Sequence, residues 1–315
     1  MASRNRRLVM IHGRGLKPSA DDLAPLWLAA MRRGIERDHG KLVAEFDTLE
    51  TSFVYFGDLT APLLQQRGAT IDEQLNLADL QTALAELAAR DSRKRFRSEN
   101  YQRLRRRSGI GKLSMMLMAP LARGFGMEDR LLAKTAPELA RYRTDKTLAG
   151  AMRQRLLDVL RPALASDEDV MLVSHCVGSV VAYDCLWLMS RGDDCLDQKL
   201  TTLVTIGSPL ANDSVRHGLL GAREGVERRY PGNITHWFNI AAEDDYVCHD
   251  ATVANDFAPM LSQRYISRLE DIGIFNLARR YGRPNPHNAL GYLIHPRMAS
   301  LLADWLCGAS RGSVR

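Results

Sequence analysis

The sequence predicts an α/β fold, a mostly parallel sheet with helices on both faces and an inserted helical cap. Three observations carry this. Short apolar runs closed by glycine, proline or acidic turn residues alternate with longer stretches of helical periodicity, the rhythm of strands joined by crossover helices. One apolar run, 170–173, passes within a few residues into a second apolar stretch, so that a buried strand leads almost directly into a buried helix. From about 60 to 150 helical patterns alone appear, which interrupts the alternation and reads as an insertion.

The elements follow in order. Residues 7–11 (RLVMI) read as a buried strand, and His12-Gly13-Arg14-Gly15 turns the chain. Leu23, Leu26, Trp27, Ala30 and Met31 recur at helical spacing and predict a helix over 23–36. Residues 51–56 are β-branched and aromatic, a second strand ended by Gly57-Asp58. Helical patterns cover 74–89, 114–123 and 129–142, and an amphipathic helix over 148–164 leads to the strand at 170–173. Residues 200–206 form a strand closed by Gly207-Ser208-Pro209, and 236–242 another closed by Glu243-Asp244-Asp245. A final helix covers 299–307. The core is therefore expected at 1–59 and 151–315, and the cap at 60–150. There is no internal repeat.

Bulk properties narrow the class. In a chain of 315 residues, 45% apolar and 25% charged side chains are enough for a sizeable core, while the longest apolar runs fall far short of a membrane span. The basic start is followed by apolar residues only over 8–11, too short for a signal-peptide core. Five scattered cysteines without a CxxC pair predict reduced thiols in a cytoplasmic chain. The net charge of +6 is local: residues 90–107 hold nine Lys/Arg against two Asp/Glu, so the rest sums to −1. No nucleic-acid partner is expected from such a distribution. Beside the basic run, 110–121 is rich in methionine and leucine. Together 90–122 match a lid that touches a membrane surface or an acyl chain. The plainer reading is that these apolar groups pack the lid on the core.

The chemistry centres on Ser174-His175-Cys176-Val177-Gly178, at the junction of strand and helix. Small residues stand two positions either side of Cys176. This is the layout of a nucleophile elbow with cysteine in place of serine, where larger flanking side chains would strike the strand and helix. A thiol at a helix start meets unpaired N–H groups and a dipole that favour its anion. The alternative is a buried structural thiol; Cys185, Cys195, Cys248 and Cys307 lack such a frame. A thiolate needs a base and a group to orient that base. Asp245 follows a strand, where sites in parallel sheets form, with Asp244 as the fallback. His287, in a proline-bounded loop before the last helix, is the expected base; His295 competes, and His249 follows the acid too closely. Backbone N–H groups of Val177 and of Gly13 or Arg14 are the expected oxyanion hole. His12, His175 and Ser208 lie at strand ends where they line a substrate's path, or else hold their own turns. No HExxH or CxxC spacing suggests a metal, and no cofactor is required.

On the HGRG loop, the SHCVG elbow, the Asp245 turn and His287, the chain resembles the α/β-hydrolase superfamily, over 7–58 and about 150–307. In its cysteine it is similar to dienelactone hydrolases and polyhydroxyalkanoate synthases. The resemblance implies a hydrolase of ester or thioester bonds, acting on a small, partly apolar, lipid-like acyl substrate through a Cys176–His287–Asp245 triad. Two alternatives stay open: an acyltransferase or synthase with the same triad, and a non-catalytic binding or scaffold protein on the same fold. Product analysis with an added acceptor separates the first from hydrolysis, and inertness of Cys176 to acyl probes would favour the second.

Overall fold

Alternating side chains build a sheet that is buried on both faces. In β1 (Arg6–Ile11), Leu8 and Met10 point to one core layer and Val9 and Ile11 to the other. The helices α1 (Ala20–His39) and α2 (Val43–Asp47) lead to β2 (Glu50–Val54), and Ser19 caps α1 by accepting the Asp22 N–H at 3.2 Å. Among the described residues the helices α3 (Gly57–Gln66), α4 (Glu73–Ala88) and α5 (Pro137–Thr144) follow. Then α6 (Lys146–Ala165), β3 (Asp169–His175) and α7 (Val177–Met189) form the central unit. All seven residues of β3 are buried, as expected of an inner parallel strand. The chain continues through β4 (Leu200–Ile206), α8 (Asp213–Arg216), β5 (Ile234–Ala242), α9 (Ala258–Ser262) and β6 (Arg268–Ile274). A short antiparallel pair, β7 (Arg279–Arg280) and β8 (Arg283–Pro284), precedes α10 (Ala289–Leu293) and α11 (Pro296–Leu306).

This computed structural model describes residues 5–90, 92, 96, 136–192, 198–243, 245 and 252–308. The basic run at 90–107 (apart from residues 90, 92 and 96), the methionine-rich segment at 110–121, the predicted helix at 114–123, the first part of that at 129–142, and Asp244, His249, Cys195 and Cys248 lie outside the described residues.

Strands β1 to β6 form one parallel sheet in the order β2-β1-β3-β4-β5-β6. Helices α6 and α7 cover one face through Met152, Leu156, Leu160, Val180 and Val181. Helices α1 and α11 cover the other through Trp27, Met31, Met298, Leu302 and Trp305. This is an α/β fold with flanking helices. The chain leaves β1 towards one side of the sheet and returns in β3 on the other. The order therefore reverses between β1 and β3, and a crevice opens at their carboxyl ends, where open parallel sheets bind ligands. The expected edges of the cap at 60 and 150 fall inside α3 and α6. Among the described residues no helix is long and apolar enough to cross a membrane.

Candidate active site

The turn from β3 into α7 places Cys176 at φ 52° and ψ −120°, a left-handed region that an L-residue enters only under constraint. Two close approaches supply the constraint. A β-carbon on Gly178 would collide with the carbonyl oxygen of His12 and stand 3.0 Å from that of Ile11. One on Gly13 would stand 2.6 Å from the Cys176 β-carbon and 2.7 Å from Nδ1 of His175. The loop after β1 and the turn after β3 are thus pressed together at the switch point, and only glycine fits at the two contacts. Ser174, the other small residue, is buried, with Oγ against Ser179 Oγ at 3.3 Å and the Val204 carbonyl at 3.4 Å.

Asp245 and His287 arrive from the other side. Asp245 follows β5 on a turn closed by its own N–H to the Ala242 carbonyl at 3.0 Å. Nδ1–H of His287 donates to Asp245 Oδ2 at 2.7 Å, which leaves Nε2 as the free nitrogen of the ring. Nε2 is buried and has no hydrogen-bond partner, yet the imidazole and the Cys176 sulfur are near enough to shift one another. The contact stops short of an aligned hydrogen bond.

The electrostatics follow from that contact. Burial alone would push the Cys176 thiol up; the facing His287 charge and hydrogen-bonding capacity, with the charge and backbone N–H of Arg14, outweigh it and hold the thiol below its usual value. Burial would depress His287, but the Cys176 thiolate and the Asp245 hydrogen bond prevail and raise it to about 9. Both shifts run in the direction of a thiolate facing an imidazolium that Asp245 holds.

Other expected residues fall in different places. His175 lines the cavity above the site; its Nε2–H donates to the His287 carbonyl at 3.1 Å, and burial holds the ring well below the usual range, hence neutral. His12 is fully buried with both nitrogens engaged, Nδ1–H on the Gly13 carbonyl at 2.8 Å and Nε2 accepting from Phe56 N–H at 2.9 Å. Ser208 Oγ accepts from Leu210 N–H at 3.2 Å. Neither His12 nor Ser208 lines the cavity; each fixes its own turn instead of facing a ligand. His295 caps α11, its Nδ1 accepting from Arg297 N–H at 3.1 Å, and burial depresses it to about 3. It takes no part in the site. The N–H of Val177 heads α7, and that of Arg14 reaches the sulfur. Gly13 contributes the close approach.

Two residues at the site carried no sequence signal. Tyr292 on α10 donates its hydroxyl to Asp245 Oδ2 at 2.9 Å and accepts from Ala242 N–H at 3.1 Å. Asn276 donates to the carbonyls of Pro286 at 2.7 Å and Asn288 at 2.8 Å, pinning the loop that carries His287. That loop precedes the short α10, not the last helix directly. Tyr292→Phe leaves a buried backbone N–H without its partner and Asp245 without one restraint. We expect a stability loss of about 1–2 kcal/mol in denaturant melts and a larger proportional loss of Cys176 reactivity.

Above the site lies a cavity of about 380 Å³, in the range of small-molecule pockets. Leu64 of α3, Asn76 and Leu80 of α4, and Pro137 and Glu138 of α5 form part of its wall. Cys176 itself is 1% exposed and does not line the cavity, whereas Arg14, His175 and His287 do. Comparison with known protein families, with curated proteins and with solved structures gave no match.

Proposed function

We propose that this protein has an α/β-hydrolase fold and hydrolyses ester or thioester bonds of a partly apolar small molecule through an acyl-enzyme on Cys176. The observation that carries this reading is the strained, positive-φ turn that sets Cys176 against His287, whose other ring nitrogen is held by Asp245. The switch-point position, the glycine contacts at 13 and 178, and the chain order of cysteine, acid and histidine support it.

The steps follow from the groups present. The Cys176 thiolate forms a bond to the substrate carbonyl carbon, and the N–H groups of Val177 and Arg14 take the developing oxyanion. The bond to the leaving alkoxide or thiolate breaks as Nε2 of His287 gives it a proton. His287 then takes a proton from water, the oxygen attacks the acyl carbon, and the sulfur leaves as thiolate. Asp245 keeps the ring in the tautomer that both steps need. The scattered cysteines fit a cytoplasmic setting for a reaction that uses a free thiol.

The test is to incubate the protein with a panel of activated esters and thioesters and to locate the adduct by mass spectrometry. An acyl group on Cys176 is expected; one on another residue, or none, removes the mechanism.

A pH dependence follows. The Cys176 thiol is lowered, so its alkylation by iodoacetamide should rise through a midpoint below that of a free cysteine, about 8.5. In His287→Ala, burial becomes the dominant influence and the midpoint should move above that value. Turnover should fall on the acid side as the sulfur protonates, and on the alkaline side as His287 loses its proton near 9. A wild-type midpoint at or above that of free cysteine would remove the ion pair.

A further inference from the structure

The cavity over the site has an uneven charge. Arg14, Lys17 and Arg280 line it, against Glu138 and Asp245, and Asp245 is committed to His287. Glu138 is 1% exposed and accepts the Gly15 N–H. Lys17 makes no hydrogen bond or ion pair among the described residues, and its Nζ lies 4.0 Å from where a β-carbon on Gly15 would stand, over the same loop that reaches Cys176. The exposed Arg280 is placed at the cavity by a bond to Asn76 Oδ1 at 3.3 Å.

We propose that the acyl substrate carries an anionic group, a carboxylate or phosphate, which is held between Lys17 and Arg280 while its ester or thioester carbonyl meets Cys176. The inference rests on the acyl-transfer reading and names its substrate class. The cations face one another as well as the cavity. Burial lowers Lys17 to about 8; Cys176 and Glu138 push it up, and Arg280 and Arg14 push it down. An oxyanion between Lys17 and Arg280 relieves that repulsion and gives both cations a charge-assisted partner, at Lys17 in a site that burial has already desolvated. The same charge set disfavours a wholly apolar acyl chain, which would desolvate the ammonium without compensation.

The test compares p-nitrophenyl hemisuccinate, which is anionic, with p-nitrophenyl butyrate, its neutral counterpart. Wild-type protein should favour the hemisuccinate in kcat/KM, and Lys17→Met and Arg280→Gln should each cut that preference about tenfold. Using the ratio cancels any general change in nucleophile reactivity. A preference for the neutral ester, or one that neither variant alters, overturns the proposal. If neither ester is turned over, the hydrolase reading fails and the anion site is judged separately, by alkylation of Cys176 with iodoacetate against iodoacetamide. The site then requires a higher iodoacetate-to-iodoacetamide ratio at Cys176 than at the exposed Cys307, reduced in both variants. An equal ratio, or no alkylation of Cys176 by either reagent, overturns it.

Discussion

Cys176→Ala leaves the chain folded and unable to form an acyl adduct, and turnover of any ester or thioester drops by about a thousandfold or more. The argument is structural. In the proposed reaction the Cys176 sulfur is the nucleophile, and no other described cysteine shares its setting beside His287: Cys185 is buried, with burial pushing its thiol well above the usual value, and Cys307 is exposed at the end of α11. Because nucleophile and base act as a unit, His287→Ala should cost a similar factor and the double variant scarcely more than either. Additive losses would mean that the two residues work separately. The backbone offers a second readout. At φ 52° alanine keeps the strain of the native turn and glycine releases it. Cys176→Gly should therefore be more stable than Cys176→Ala by about 1 kcal/mol, although both are inactive. Thermal melts of the two variants measure this directly. A glycine variant less stable than the alanine one would mean that the turn stores no strain.

The second large effect is expected at Gly178. The atoms a β-carbon would strike are backbone carbonyls of His12 and Ile11, at the end of an inner strand. They cannot move without breaking the register that pairs Ile11 with Ser174. Gly178→Ala should therefore cost at least the upper end of ordinary overpacking, about 3 kcal/mol, and should weaken or abolish acylation in whatever protein still folds. Gly13→Ala meets side-chain atoms of Cys176 and His175 as well as a backbone oxygen, so it should disturb reactivity more than stability. Gly40→Ala is the control: nothing lies within 4 Å of its β-carbon, and we expect a change within about 0.5 kcal/mol. Urea melts of the three variants, with Cys176 alkylation rates, separate these outcomes. A Gly178→Ala protein as stable and reactive as wild type would show that the two loops are not in contact.

Most of the framework was legible in the residues because it depends on short-range periodicity. β4 covers the predicted 200–206 without change, and β1, β2, β3, β5, α1, α4, α6 and α11 begin and end within a few residues of expectation. β6 was not legible. Arg268, Glu270 and Asp271 give it the look of a loop, and it is tolerated as a strand because it lies at the sheet edge, paired only to β5. The α10 turn was missed as well; five residues are too few to show a helical period, and it is fixed by the Asn288 cap and by burial of Tyr292.

The sequence by itself determined the strand-to-helix turn at Cys176, with small residues on either side, and the order in which acid and histidine follow, since these are local patterns written in consecutive residues. Only the tertiary structure decided which histidine reaches the sulfur, that Tyr292 and Asn276 brace the acid and the loop, that His12 and Ser208 serve their own turns, and that three cations line one cavity. The physical reason is distance along the chain. These groups stand tens to hundreds of residues apart, and what joins them is the reversal of strand order between β1 and β3, which no local spacing encodes.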